Sequence, residues 1–219
     1  MLSQTEENYL KGIYSISLHT GKSASTNNIA KKLNTKASSV TDMLQKLSDK
    51  KLVSYKKYQG VHLTSKGENI AVKIVRKHRL WEVFLVEKLH FNWGEVHEIA
   101  EQLEHIESDE LTSRLDNFLN FPTKDPHGDP IPDSDGKIRT KKSILLVNAK
   151  LDKNYKIASV KDNSSAFLQF LDKHSITIDS TLDVLEKFEF DESITVKINN
   201  KQLLTLSKKV CANVYVNKN

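Results

Sequence analysis

The chain lacks most of what would mark a secreted, membrane-bound or catalytic protein. Its 219 residues include one cysteine, Cys211, so no disulfide can close within the chain and a reducing, cytoplasmic setting is expected. No apolar run approaches the roughly 18 residues that a membrane helix needs. The first residues, Met1 to Glu7, have no basic stretch followed by an apolar one, so no signal peptide is expected. HExxH, GxSxG, P-loop and CxxC patterns are all missing, which argues against the common hydrolase and nucleotide-binding classes and against an enzyme in general. Proline is scarce, and all four residues (Pro122, Pro126, Pro130, Pro132) fall within 120–142 alongside Gly128 and Gly136. That stretch reads as a linker between two differently patterned halves.

Charge is unevenly spread. The net charge is +5, yet residues 1–80 hold 15 Lys/Arg against 5 Asp/Glu, whereas residues 81–120 hold 2 against 10. A basic segment suits phosphate and an acidic one suits cations, although solvated helix faces produce such blocks too.

In the basic segment, apolar residues recur at helical spacing over 4–19, then over a short helix capped by Ser25 or Thr26, then over a third helix near 37–50. The run "LVSYKKYQGVHL" alternates around Gly60 and reads as a β-hairpin. Two short helices, a tight turn and a hairpin describe a winged helix-turn-helix, whose second helix enters the major groove. Lys36, Ser38, Ser39, Thr41 and Asp42 would face DNA from the start of that helix. Lys46 would reach the backbone, and Lys56, Lys57 and Tyr58 would do so from the hairpin tip.

A long helix is expected from Thr64 or Ser65 to about Leu89, followed by another in "EVHEIAEQLEHIES", residues 95–108. At about 100° per residue, Val96, Ile99, Ala100, Leu103 and Ile106 form an apolar arc. His97, Glu101, Glu104 and His105 fall on the opposite side. His78 and Glu82, one turn apart on the long helix, form a second His–Glu pair. Clustered carboxylate and imidazole suit Mn(II), Fe(II), Co(II) or Zn(II), and a cation would relieve their mutual repulsion. A solvent-facing polar stripe is the plainer alternative. Beyond the linker the period changes to two: "SILLVNA", "YKIASV", "SITVKIN", "KQLLTLS" and "CANVYVN" read as strands of a small barrel or sandwich, interrupted by the helix "SSAFLQFLDKH". Cys211 is expected in the core of the last of these strands.

The segments "TEENYLKGIY", "SSVTDMLQKLSDKKLVSYKKYQGVHLTSKGE", "RKHRLWEVFL" and "VHEIAEQLEHIESDEL" strongly resemble the diphtheria-toxin-repressor family of metal-dependent transcriptional regulators, including its manganese-responsive branch. The resemblance covers residues 1 to about 140, and the β-rich tail resembles the SH3-like domain of many members. It implies an α+β chain divided into a winged helix-turn-helix (1–65), a helical metal-binding and dimerisation domain (66–120), a linker (121–142) and an SH3-like, FeoA-like domain (143–219). It implies a homodimer that binds palindromic double-stranded operator DNA when Mn(II) or Fe(II) is bound, and so controls metal-homeostasis genes. The primary site would use Asn8, Glu101, Glu104 and His105. The ancillary site would use His78, Glu82, His97 and, from the SH3-like domain, Asp162. Dimerisation would use Leu85, Val86, Leu89, Phe91, Trp93, Leu111, Leu115 and Phe118, and Pro126, Pro130 and Pro132 of the linker would dock on the SH3-like domain. Three positions depart from relatives. Asn8 stands where they have Met or Asp, Lys11 where the smaller manganese regulators have a carboxylate, and Glu101 where the iron branch has Cys. A donor set of nitrogen and oxygen alone favours Mn(II), with Fe(II) next. The competing expectation is a metal-independent winged-helix regulator with a structural His/Glu cluster; a metallohydrolase ranks last.

Overall fold

The computed structural model describes residues 2–56, 60–139 and 142–218, so the wing-tip residues Lys57 and Tyr58 lie outside the described residues. The chain divides into two compact units. The first comprises 1–78, 101–112 and 132–137; the second comprises 79–100, 113–131 and 138–219.

The first unit opens with α1 (Gln4–Thr20). A reciprocal capping box starts it: Ser3 Oγ accepts from the Glu6 N–H, and the Glu6 carboxylate accepts from the Ser3 N–H. Gly21 ends it at φ 64°, a left-handed conformation in which glycine carries no Cβ penalty. Helix α2 (Thr26–Lys32) is capped by Ser25, and α3 (Ala37–Asp49) follows a turn in which Asn34 takes φ 48°. Leu10 and Ile13 of α1, Ile29 of α2 and Val40, Leu44 and Leu47 of α3 are fully buried in one core. Strands β1 (Val53–Lys56) and β2 (Gly60–Leu63) pair antiparallel, with Val53 opposite Leu63 and Lys56 opposite Gly60. This is the expected winged helix-turn-helix. Helix α4 (Ser65–Glu87) starts against it, where a Cβ on Gly67 would stand 2.0 Å from the Leu52 carbonyl oxygen.

In the second unit, the latter part of α4 packs Leu80 and Val83 against Leu115 and Leu119 of the α6 region (α5, Val96–Leu103; α6, Asp109–Phe118) and against Ile131. Helix α5 is shorter than the sequence suggests: it ends at Leu103, so Glu104 and His105 sit in the following turn. The C-terminal portion is one antiparallel sheet ordered β3-β8-β4-β5-β6-β7. Its strands are β3 (Ile144–Leu145), β4 (Lys153–Val160), β5 (Thr181–Lys187), β6 (Ile194–Ile198), β7 (Gln202–Leu206) and β8 (Val214–Lys218). Helices α7 (Ser165–Lys173) and α8 (Lys208–Cys211) lie between strands.

Two features depart from expectation. Strand β5 was not foreseen: it carries Asp183, Glu186 and Lys187, its outward face includes the apolar Leu185, and a register shift between Val184 and Glu186 leaves Glu186 exposed where strict alternation would bury it. Cys211 is buried in the core as expected, but it closes the one-turn helix α8 rather than lying in a strand. The linker is ordered on the sheet in this unit. Val160 N–H donates to the His127 carbonyl, and Gly128, at φ 87°, lies so close to β4 that a Cβ would meet the Ala158 carbonyl oxygen at 2.2 Å.

Candidate metal centres and DNA-reading surface

Glu104 is the centre of the first cluster. Its carboxylate is fully buried, and α1 and α4 each bring a partner to it. Lys11 Nζ lies 2.7 Å from Oε1 and donates to Oε2 at 2.8 Å. His78 Nδ1 is 2.6 Å from Oε2. Lys11 also reaches Glu101 Oε1 at 3.0 Å, one turn earlier on α5. His105 Nε2 stands 3.8 Å from Glu104 Oε1, while its Nδ1 is 2.5 Å from Glu7 Oε2. Asn8, beside Glu7, has a buried amide oxygen with no hydrogen-bond partner. Thus Glu101, Glu104 and His105 converge with α1. His78 Nδ1 also bonds Glu104. Glu7 adds a carboxylate that sequence reasoning passed over.

A second cluster forms around Glu82, also buried. His97 Nδ1 lies 3.3 Å from Glu82 Oε1, and His127 Nδ1 lies 3.6 Å from Oε2. Glu82, Asp125 and His127 offer ligand atoms all within 4.8 Å of one another. The His127 tautomer is fixed: Nε2 is 2.9 Å from the Trp93 carbonyl, which can only accept, so Nε2 carries a proton and Nδ1 faces the carboxylates. A carbonyl orienting an imidazole in this way is the usual support behind a metal-bound histidine. Trp93 stacks on the His127 ring and anchors its own indole N–H on Asp172 at 2.8 Å. Asp125 Oδ1 accepts the N–H groups of His127 and Asp129, and Arg79 Nε lies 3.4 Å from Oδ2. Burial, with Glu82 and Asp129 adding to it, pushes the Asp125 carboxyl up to about 7 against the opposing pull of Arg79. Burial pulls the His127 imidazole down, but Glu82 and Asp125 outweigh it and raise the group to about 8. Asp162 lies two residues past Val160, and its Oδ1 accepts the Ser164 N–H at 2.9 Å.

These arrangements fit a divalent cation. Among the described residues, Asn8 Oδ1 and His127 Nδ1 are buried with no hydrogen-bond partner, and Glu104 Oε1 meets the Lys11 ammonium. All three atoms can donate to a cation, and the side chains gathered at Glu104 and Glu82 offer nitrogen and oxygen.

On α3, Ser38, Ser39 and Asp42 are exposed, and Lys36 is the exposed N-cap residue. Thr41 is exposed too, with its hydroxyl donating to the Ala37 carbonyl at 3.1 Å. Lys46 is 3.3 Å from Glu6 Oε1 on α1, and Lys50 is 2.7 Å from the same oxygen. Burial opposes ionisation of Glu6, but the two lysines and the Ser3 N–H hold its carboxyl down near 2. Lys56 is exposed at the end of β1.

Residues 1–61 match the family profile "Iron dependent repressor, N-terminal DNA binding domain", residues 64–133 match "Iron dependent repressor, metal binding and dimerisation domain", and residues 144–218 match "FeoA domain". A solved structure titled "Manganese-dependent transcriptional repressor complex with manganese" superimposes with TM-score 0.91 at 34% identity, covering 98% of this chain and 100% of that one. The chain belongs to the iron-dependent repressor family. Curated relatives include "Iron-dependent repressor IdeR" of Mycobacterium tuberculosis, 34% identical over 60% of this chain, and the "Probable metal transport system membrane protein" of Chlamydia trachomatis, 48% identical over 44% of this chain. The chain spans 56% of the former and 20% of the latter. No described helix is long and apolar enough to cross a membrane.

In these two clusters the residues missed in the sequence were Glu7, Asp125 and His127. The last two sit in the Pro- and Gly-rich stretch read as a linker. The signal was present in "DPHGD", an Asp and a His two apart beside a Gly free to turn at positive φ, but composition alone assigned it to loop. Of the expected dimer residues, Leu85 and Leu115 are buried and Trp93 is engaged by His127, whereas Leu89, Phe91, Leu111 and Phe118 are exposed, and Phe121 joins them at 64% exposure.

Proposed function

We propose that this protein is a metal-dependent transcriptional repressor that binds operator DNA as a homodimer when Mn(II) or Fe(II) is held by Glu7, Asn8, Glu101, Glu104 and His105, with His78 behind Glu104. The observation that carries the reading is the orphaned, buried Asn8 amide oxygen, next in sequence to Glu7, whose carboxylate meets His105 alongside the fully buried Glu104. A buried polar atom without a partner is destabilising unless something else uses it. A divalent cation would supply the positive charge that lets these carboxylates ionise together. The family profiles and the solved manganese-dependent repressor support the same reading.

The chain's own residues then relate metal to DNA. Glu6, Glu7 and Asn8 are consecutive. Glu7 meets His105 of the metal cluster and Asn8 follows it with an orphaned amide oxygen, while Glu6 grips Lys46 and Lys50 at the end of α3. Fixing Glu7 and Asn8 therefore fixes the helix that holds α3, and a population of α3 orientations narrows to one that can read DNA. Lys36, Ser38 and Ser39 would meet phosphates and base edges there, and paired α3 helices would lie roughly 34 Å apart to read a palindrome. The exposed Leu89, Phe91, Phe118 and Phe121 would pack against a second copy. A second ion would sit on Glu82, His97, Asp125 and His127, with Asp162 as a further oxygen donor.

The test is selection from a random DNA pool in parallel with Mn(II), with anaerobic Fe(II) and with chelator. One palindrome enriched only with metal is expected, and Glu104→Ala should abolish that enrichment with the fold intact. Equal enrichment with chelator would leave a metal-independent winged-helix regulator.

A further inference from the structure

We infer that Lys11 is a tethered rival of the metal at Glu101 and Glu104, and that its displacement sets the metal concentration at which the repressor switches. The inference rests on the proposed role of Glu104 as a ligand. Lys11 Nζ is within 3.0 Å of Glu101 Oε1 and within 2.8 Å of both Glu104 oxygens, so one ammonium spans the pair. Its side chain is 16% exposed and that of Glu104 is 0% exposed, so these charges meet largely away from water. In such surroundings an opposite charge is worth far more than on an open surface.

The geometry makes the two cations exclusive. A hard divalent ion sits roughly 2.0–2.6 Å from its carboxylate oxygens. An ammonium 2.7 Å from Glu104 Oε1 would then lie only about 3–5 Å from that ion, where two positive charges repel strongly in a buried site. The ammonium must leave before Glu104 can give its oxygens to a metal. The closed Lys11 conformation also stabilises the metal-free protein, because it neutralises carboxylates that would otherwise repel one another. Apparent metal affinity is the intrinsic affinity reduced by the fraction of molecules in which Lys11 has let go. Lys11 thus keeps the site from filling at low metal concentration, and its four-carbon stem allows the ammonium to swing out.

The experiment uses full-length protein carrying His127→Ala, which disables the second cluster, titrated with Mn(II) by calorimetry and by the loss of the free Mn(II) electron-spin signal. Lys11→Met should bind Mn(II) at least about tenfold more tightly than the parent. Its metal-free Tm should fall and its Mn(II)-induced rise in Tm should grow. Lys11→Gln guards against a folding defect and should move the same way, whereas Lys11→Arg, which keeps the charge, should stay near the parent. Unchanged or weaker Mn(II) binding in both neutral variants, with Glu104→Gln abolishing binding in the parent, would overturn the inference and leave the metal site standing. Parent binding that survives Glu104→Gln would overturn the metal site and the inference together.

Discussion

Glu6 on α1 and Lys50 at the end of α3 are joined by a 2.7 Å charge-assisted hydrogen bond, with Lys46 3.3 Å from the same carboxylate oxygen. The bond is a direct side-chain tie between α1, which also carries Glu7 and Asn8, and the end of α3. Glu6→Gln should leave Mn(II) affinity unchanged, since Glu6 points away from the ligands. It should lower the stability of the protein by about 1–2 kcal/mol, discounted because both lysines are partly solvated. The gain in operator affinity on adding Mn(II) should shrink at least about fivefold, a coupling loss of about 1 kcal/mol. Denaturant unfolding and fluorescence anisotropy with labelled operator measure the two. An undiminished metal response would show that α1 and α3 communicate without Glu6.

Gly128 controls the second cluster through backbone clearance. A Cβ there would stand 2.2 Å from the Ala158 carbonyl oxygen, and the residue holds φ 87°, so Gly128→Ala must push the segment off β4. His127 and Asp125 would move with it, away from Glu82. The expected outcome is loss of one bound Mn(II) per chain, the same stoichiometry as His127→Ala, with the ion held by Glu104 retained. A cost on the order of 2 kcal/mol should accompany it, confined to the second unit. Metal counting by elemental analysis after desalting decides: two ions bound in Gly128→Ala would show that the cluster does not hold one.

Phosphate contacts are separable by salt. Lys36 caps α3 with its side chain exposed, whereas Lys46 shares its charge with Glu6. Each phosphate neutralised contributes about 0.9 to the slope of log affinity against log salt. Lys36→Ala should therefore reduce the slope by about one per chain, and Lys46→Ala by clearly less. Equal losses would mean that Lys46 leaves Glu6 when DNA arrives.

The winged helix was readable because its signals are local and periodic. Capping at Ser25, the turn at Asn34 and the stripe Val40, Leu44, Leu47 depend only on spacing of three or four. Helical spacing alone does not divide the His and Glu residues into the two groups that the family resemblance implies. One helical wheel places His97, Glu101, Glu104 and His105 together, yet α5 ends at Leu103, so Glu104 and His105 leave the wheel to meet α1 while His97 meets Glu82. Asp125 and His127 were hidden for a related reason. Their convergence depends on a linker pinned to β4 by backbone hydrogen bonds, which no periodicity encodes. Strand β5 was lost because Leu185 is apolar on its outward face and the register shift after Val184 leaves Glu186 exposed at an inward position, so the sequence does not alternate.

Phe118 tests the assembly. It is 60% exposed on α6, its ring centroid is 6.2 Å from that of Phe84, and Lys88 Nζ lies 5.7 Å from its centroid. Leu89, Phe91 and Phe121 are also exposed in the same unit, and with Phe118 they are the residues proposed above to pack against a second copy. A palindrome is read by two α3 helices at once, so loss of the dimer removes half the contacts and their fixed spacing. Phe118→Asp places a charge that would have to be desolvated in that interface, while its solvent-facing position spares the monomer core. The variant should run as a monomer by light scattering at micromolar concentration, keep its bound Mn(II), and lose at least roughly 30-fold in operator affinity. A dimeric Phe118→Asp protein with full operator affinity would move the interface elsewhere. A monomeric one with full affinity would mean that a single chain suffices to read the operator, and the two-fold reading of the DNA would fall with it.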